Sequence, residues 1–257
     1  MTAFIYLVVA LFGAAIGSFL NVCIWRIPEG FSIVSPPSHC PACGHEIRFY
    51  DNIPVFSFLL LGGRCRDCRG KISVRYPLVE LLTAAMAALL FWKFGPSLKF
   101  LASFVFLAAL IVITFIDLDH QIIPDVISLP GIPIFFLLAL FVMEIPFIEA
   151  LLGLLIGGGS LYLVASSYEL ITKREGMGGG DIKLLAMIGA FLGWKSLLFI
   201  VLVSSFLGAL VGITLMIWKG RDMKYAVPFG PFLSIAAVAY IFFGAAAVRA
   251  FFTYQLL

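Results

Sequence analysis

Charge is scarce in this sequence. Of 257 residues, 12% are Asp, Glu, Lys or Arg, against roughly 25% in soluble domains. Hydrophobic residues make up 62% and the mean hydropathy is +1.11. That balance excludes a solvated globular domain and makes the lipid bilayer the chain's main partner. The net charge of +3 gathers on no basic face with readable aromatics, so no nucleic acid is expected to bind. The first hydrophobic run has no basic n-region and no small-residue cleavage site. Arg26 follows it directly, and it reads as a retained helix rather than a cleaved signal peptide. No glycine-rich strand-to-helix turn of the nucleotide-binding kind occurs. No inverted repeat is evident, which disfavours a transporter.

What is present is a series of long apolar runs. Eight candidate spans cover 3–24, 77–94, 98–116, 126–143, 147–171, 182–194, 197–218 and 231–248. The expected fold is an all-α polytopic membrane protein of about eight transmembrane helices with a small cytoplasmic insert. Orientation follows from Lys and Arg, which retained cytoplasmic loops carry in excess. With the N-terminus outside, loops 26–76, 172–183 and 219–224 hold 13 of the basic residues. The opposite side holds Lys93, Lys99, Lys195 and Arg249.

Loop 26–76 is the one polar stretch long enough to be a domain, and four of the five cysteines lie in it. Cys40 and Cys43 form one CxxC, Cys65 and Cys68 a second, with 21 residues between them. Such thiols in a reducing cytoplasm are not expected to be structural disulfides. Two knuckles at this spacing suit a tetrahedral four-cysteine Zn(II) site, which would organise a loop with too little apolar content to fold alone. Gly44 and Gly70 supply the backbone freedom the knuckles need. Redox-active or unrelated thiols are the alternative. His39 and His45 flank the first pair and can substitute for a cysteine, although solvated loop histidines are the simpler reading. Cys23 lies inside the first span and reads as a packing residue.

The acids are placed less casually. Asp117 ends an apolar run broken only by Ser103 and Thr114 and belongs at the edge of the hydrocarbon. Asp119 and His120 read as solvated loop residues, and Asp125 as a cap for the next helix, with Pro124 at its entry. Asp181 follows Gly176, Met177, Gly178, Gly179 and Gly180, a backbone that can approach another chain closely. The span behind it has 13 residues, about 20 Å of helix against roughly 30 Å of hydrocarbon, which draws Asp181 inward or thins the bilayer. Two carboxylates together at that depth do not both ionise easily. A pair sharing a proton can activate water and protonate a leaving group. Two other chemistries remain open. Asp117, Asp119 and Asp181 can hold Mg(II) for lipid phosphotransfer, with Lys173, Arg174 and Lys183 on phosphate. Alternatively the aspartates are ion sites of an ion-coupled transporter.

Seven segments carry a resemblance over essentially the whole chain: GSFLNVCIWRIP (17–28), PPSHCPACG (36–44), YDNIPVFSFLLLGGRCRDC (50–68), ISVRYPLVELL (72–82), FIDLDHQIIPD (115–125), GMGGGDIKLLA (176–186) and PFGPFL (228–233). Jointly they resemble the bacterial type IV prepilin peptidases, leader peptidases with N-methyltransferase activity. The resemblance implies a membrane aspartic endopeptidase of the GxGD type in the bacterial inner membrane. Its substrates would be type IV prepilins or type II secretion pseudopilins, cut at the cytoplasmic face. It also implies methylation of the new N-terminal residue with S-adenosylmethionine. By position the catalytic residues would be Asp117, seven residues before Pro124, and Asp181. Cys40, Cys43, Cys65 and Cys68 match the family's zinc-binding form. Residues 1–76 would be the methyltransferase portion and 77–257 the peptidase core. The residues that bind the methyl donor are not implied. Asn21, Asp51 and Glu80 lie near the insert, and for each, packing, interface polarity or capping is the simpler reading.

Overall fold

The computed structural model describes residues 2–173, 178–219 and 227–253. Arg174, Gly176, Met177, Arg221 and Lys224, and the side chains of Lys219 and Arg249, lie outside the described residues. Among the described residues the regular structure is helical: α1 Thr2–Arg26, α2 Phe56–Leu60, α3 Arg75–Phe94, α4 Leu98–His120, α5 Asp125–Phe141, α6 Phe147–Thr172, α7 Gly179–Leu192, α8 Trp194–Lys219 and α9 Gly230–Thr253, with a 3₁₀ turn at Phe49–Asn52. Each of the eight expected spans falls on one of these helices. Five of them, α1, α3, α4, α6 and α8, are long and apolar enough to cross a bilayer. Helices α5 and α9 are apolar but shorter over their described side chains. Helix α7 has 14 residues, about 21 Å at 1.5 Å per residue.

The chain divides into two compact units, Met1–Val112 and Ile113–Leu257, the division falling within α4. In the first unit, α1 and α3 run antiparallel with backbones nearly touching. A methyl group at Gly13 would stand 2.7 Å from the Ala87 Cβ, and one at Gly17 2.8 Å from the Glu80 Cα. Lipid tails are as apolar as leucine, so such helices associate by close packing and interhelical hydrogen bonds, and small residues four apart permit it. The contact is extended by edge-on rings, Tyr6 on Phe91 at 5.5 Å and Phe91 on Phe100 at 5.6 Å between centroids. At its polar end the Asn21 amide donates to the Tyr76 carbonyl at 3.1 Å.

The second unit is built around α7. Every residue from Leu184 to Phe191 is buried. Helix α6 approaches so closely that a Cβ on Gly153 would overlap the Gly189 carbonyl, and one on Gly157 would lie 2.6 Å from the Leu185 carbonyl oxygen. Helix α5 meets α7 through Gly131 against Met187 and through the Phe135 and Phe191 rings at 5.6 Å. A helix this short and this enclosed is oriented by its neighbours rather than by lipid. Gly193, at φ +77°, ends it and turns the chain into α8.

Gly153 therefore tolerates no side chain. Gly153→Ala is expected to destabilise the protein in detergent by roughly 1–3 kcal/mol, the cost of an overpacked contact. Gly159, in the same helix with nothing within 4 Å of its would-be Cβ, is the control. Gly159→Ala is expected to hold or raise stability by up to about 1 kcal/mol. Thermal unfolding of the two variants beside the parent checks both signs.

Candidate functional site

The four insert cysteines converge. Their sulfurs all lie within 4.8 Å of one another, and Cys40 Sγ is 3.9 Å from Cys68 Sγ. A tetrahedron of thiolates about 2.3 Å from a metal has sulfur-to-sulfur edges of about 3.8 Å, so the cluster is dimensioned to hold one ion. The two knuckles are built alike. The Cys40 N–H donates to the His45 carbonyl and the Gly44 N–H to the Cys40 carbonyl. The Cys65 N–H donates to the Gly70 carbonyl and the Arg69 N–H to the Cys65 carbonyl. Isolated bridges, His39 with Glu46 and Arg64 with Lys71, close each one.

The equivalence corrects one expectation from sequence. The left-handed position one residue after the knuckle's second cysteine is Gly44 (φ +71°) in the first and Arg69 (φ +61°), not Gly70, in the second. Gly70 serves a different need. Its N–H reaches Cys68 Sγ at 3.4 Å, and a methyl there would stand 3.2 Å from that sulfur.

The thiols feel one another. The N–H groups of Ala42 and Cys43 pull Cys40 down to about 7. For Cys43 the His45 N–H pulls downward, but desolvation, hydrogen bonds with Cys68 and Cys40, and the Cys40 charge outweigh it and push the thiol up to about 12. Thiols that deprotonate in sequence at such spacing are what a cation would relieve.

The aspartates are positioned by the second unit. Asp117, in the last turn of α4, is 5% exposed. Its Oδ2 accepts the Gly230 N–H at 2.9 Å. That N–H opens α9, where the first N–H groups of a helix lack intrahelical acceptors, and Pro231 behind it donates nothing. The bond thus supplies a buried carboxylate with a donor and an orphan N–H with an acceptor. A methyl on Gly230 would lie 2.6 Å from Oδ2. Ile123 packs between the two loops: a Cβ on Gly180 would meet Ile123 Cβ at 2.8 Å, and one on Gly230 would meet Ile123 Cδ1 at 3.4 Å. Asp181 lies half-buried in the first turn of α7, close enough to Asp117 for their charges to interact.

The remaining acids part company with this pair. Asp119 is exposed. Asp125 is not a cap: Pro124 holds the N-cap position with no side-chain capping bond, and Asp125 sits in the first turn of α5. Its carboxylate instead meets Lys183 of α7 at 2.5 Å. Lys183 is thereby engaged away from any phosphate role. Among the described residues the cysteines form the one group of three or more potential ligands suited to a metal ion, so the Mg(II) reading through Asp117, Asp119 and Asp181 gains no support.

The three polar residues near the insert also resolve. Asp51 is bound by Arg66 through contacts of 2.6, 2.9 and 3.1 Å, which hold its carboxyl below the usual carboxylate range. Asn21 bonds α3 as described. Glu80, 7% exposed, accepts the Val55 N–H on Oε2 at 2.7 Å. All three line a cavity of about 670 Å³ within the first unit, between the knuckles and the ends of α1 and α3. Ile123 and Val55 carry no feature in the sequence that marks them for either constellation, Gly230 carries only a Phe-Gly-Pro step ahead of an apolar run, and Lys183 was expected on phosphate rather than on Asp125.

Residues 11–94 match the model of the Bacterial Peptidase A24 N-terminal domain, and residues 104–213 that of the Type IV leader peptidase family. The chain is 39% identical over 254 residues to a prepilin leader peptidase/N-methyltransferase of Pseudomonas putida, covering 90% of this chain and 88% of that protein. It is 38% identical over 249 residues to a protein of the same description from Pseudomonas aeruginosa, covering 88% and 86%. A third, from Neisseria gonorrhoeae, is 38% identical over 251 residues, covering 88% and 86%. No solved structure matches the chain.

The symmetry of the knuckles gives a local test. Arg69→Gly removes a side chain from a left-handed position and is expected to leave the insert folded, whereas Gly44→Val at the matching position strains it by about 1 kcal/mol or more. Limited proteolysis of the insert should show the valine variant cut faster than the parent and the glycine variant no faster.

Proposed function

The chain belongs to the type IV leader peptidase family, and we propose that Asp117 and Asp181 are the dyad with which it cuts. It is a protease and N-methyltransferase acting on prepilins, releasing the leader and methylating the new N-terminus. Pseudopilins of type II secretion are proposed as further substrates, since a shared leader chemistry would suit the same dyad.

One observation supports the dyad above others. A carboxylate buried at the end of a helix is held by a backbone N–H from a second helix, within electrostatic reach of another carboxylate on a third. Two such groups, screened from bulk water, share one proton. The ionised member takes a proton from water, which attacks the scissile carbonyl. The protonated member then passes its proton to the departing amine. Gly178 and Gly179, with nothing within 4 Å of their would-be Cβ atoms, leave room for an extended substrate backbone beside Asp181.

The membrane arrangement follows the same reading. All eight apolar helices are proposed to lie in the bacterial inner membrane, and the loop charge balance of 13 against 4 supports an active site facing the cytoplasm. The four thiolates are proposed to hold structural Zn(II), supported by the tetrahedral fit and by an insert whose regular structure is one 3₁₀ turn and one helical turn. Residues 1–76 are proposed to serve methyl transfer and 77–257 cleavage. S-adenosylmethionine is the proposed donor. When bound, it supplies a methyl carbon made electrophilic by its sulfonium.

Asp117→Asn and Asp181→Asn are each expected to lower the prepilin cleavage rate by at least about a thousandfold, the scale of a lost acid or base. Gly230→Ala, which drives a methyl against Oδ2, is expected to lose at least about tenfold. A gel assay of purified protein and prepilin measures all three, and near-parent cleavage by either Asn variant would refute the dyad. Separately, protein purified under reducing conditions is expected to carry about one zinc per chain, as a single tetrahedral site requires. Changing Cys40, Cys43, Cys65 and Cys68 to Ser should abolish it, and metal analysis finding none in the parent would sink the zinc assignment.

A further inference from the structure

The middle of the insert is apolar. Residues 53–61, Ile-Pro-Val-Phe-Ser-Phe-Leu-Leu-Leu, contain no charged side chain, and the nearest charges are Asp51 before them and Arg64 after them. They hold α2 and its flanks, and the segment has two faces. Ser57 is buried, and its hydroxyl donates to the Tyr50 carbonyl at 2.9 Å. On the other side Phe56, Leu59 and Leu60 are 56%, 69% and 70% exposed, and none of the three borders the cavity of this unit. Three large apolar side chains side by side on one helical turn call for a cover other than water.

Two contacts fix the height of this segment along α1 and α3. The Val55 N–H donates to Glu80 Oε2 at 2.7 Å, and Asn52 Oδ1 stands 3.5 Å from Ser18 Oγ. Ser18 and Glu80 are at nearly the same level, because Gly17 backs onto the Glu80 backbone. Ser18 is eight residues before the end of α1 at Arg26, and Glu80 five residues after the start of α3 at Arg75. At 1.5 Å per residue these are about 12 Å and about 7.5 Å inward. Helix α3 has 20 residues, about 30 Å, so it crosses a hydrocarbon core of roughly 30 Å only with its full length, and any tilt draws its start deeper. Arg75 thus stands at the edge of the hydrocarbon and Glu80 inside it. Even with the Glu80 side chain leaning toward its helix start, Asn52 and Val55 meet the two helices at or beneath that edge. At the same level Leu78 and Leu81 of α3 are exposed, so this helix presents an apolar surface there too.

Backbone at such a depth needs its polar groups satisfied from within the protein. The Ser57, Leu59 and Leu61 N–H groups donate to the carbonyls of Ile53, Val55 and Ser57, and the Val55 N–H has Glu80. Gly62 (φ +59°) and Gly63 (φ +67°) then turn the chain, their N–H groups closing on the Leu59 and Phe58 carbonyls. Arg64, exposed, follows the turn, with a side chain long enough to reach headgroups.

We infer, on the reading that α1 and α3 cross the bilayer, that residues 53–61 form a re-entrant segment lodged in the leaflet beside those helices, with Phe56, Leu59 and Leu60 against lipid acyl chains. The insert is then held to the membrane at its middle as well as at its two ends.

The full-length protein reconstituted in vesicles of phosphatidylethanolamine and phosphatidylglycerol tests this. The vesicles include a phospholipid with a diazirine on its acyl chain, and after irradiation the labelled peptides are mapped by mass spectrometry. Label is expected on residues 53–61 as on 78–81, and at least about tenfold less on the second knuckle, 64–71, because the probe is confined to the hydrocarbon core. Label on 78–81 with none on 53–61 would overturn the inference, whether 53–61 then stay bare or are captured instead by a prepilin carrying the diazirine in its apolar segment. An absence of label from α1 and α3 as well would overturn the membrane reading itself.

Discussion

Close backbone contact through glycine is the constraint on which both units depend. In hydrocarbon no hydrophobic force drives one apolar helix onto another, so adhesion comes where main chains can approach. Gly13 and Gly17 do this for α1 on α3, and Gly153, Gly157 and Gly189 for α6 on α7. Each contact then sets a charge. The first fixes Glu80 near the start of α3, beside the insert. The second holds a helix of 14 residues firmly enough that its N-terminal turn, bearing Asp181, keeps a defined position. Glycine in these helices is less a source of freedom than a condition of contact.

The charged groups are placed where the backbone can satisfy them. Asp117 lies buried near a helix end, and the donor it receives is the first N–H of α9, which no intrahelical carbonyl can use. Glu80 lies buried near a helix start, and its donor comes from a loop turned to positive φ for the purpose. In each case two unfavourable groups cancel across space, at little cost to the surrounding apolar packing. The Lys183 and Asp125 pair ties α7 to α5 at their more exposed ends.

The insert works by a different economy. It has few buried apolar side chains, and its order comes from hydrogen-bonded knuckles, the Arg66 and Asp51 pair, and four sulfurs drawn to one point. The four sulfurs are grouped so that they could hold a metal ion, which a segment with so small a core would need most. Its knuckles also line the cavity that Glu80 borders, which links the four-cysteine element to a pocket of small-molecule size.

Much of this was legible without coordinates. The scarcity of charge and the apolar runs determined a polytopic helical protein, because burying that much apolar surface leaves few other solutions in a bilayer. The two CxxC pairs determined a compact four-sulfur cluster, since knuckle geometry is local. Sequence also singled out Asp117 and Asp181 by their settings. Only tertiary structure decided which acids meet. Asp125 and Asp117 are eight residues apart in sequence, yet one pairs with a lysine of α7 and the other with the backbone of α9. The roles of Gly230, Ile123 and Val55 were equally hidden, because each acts on a residue far along the chain. Hydrophobic periodicity records which face of a helix is buried. It carries no record of which neighbour buries it, and these sites are made at the junctions between neighbours.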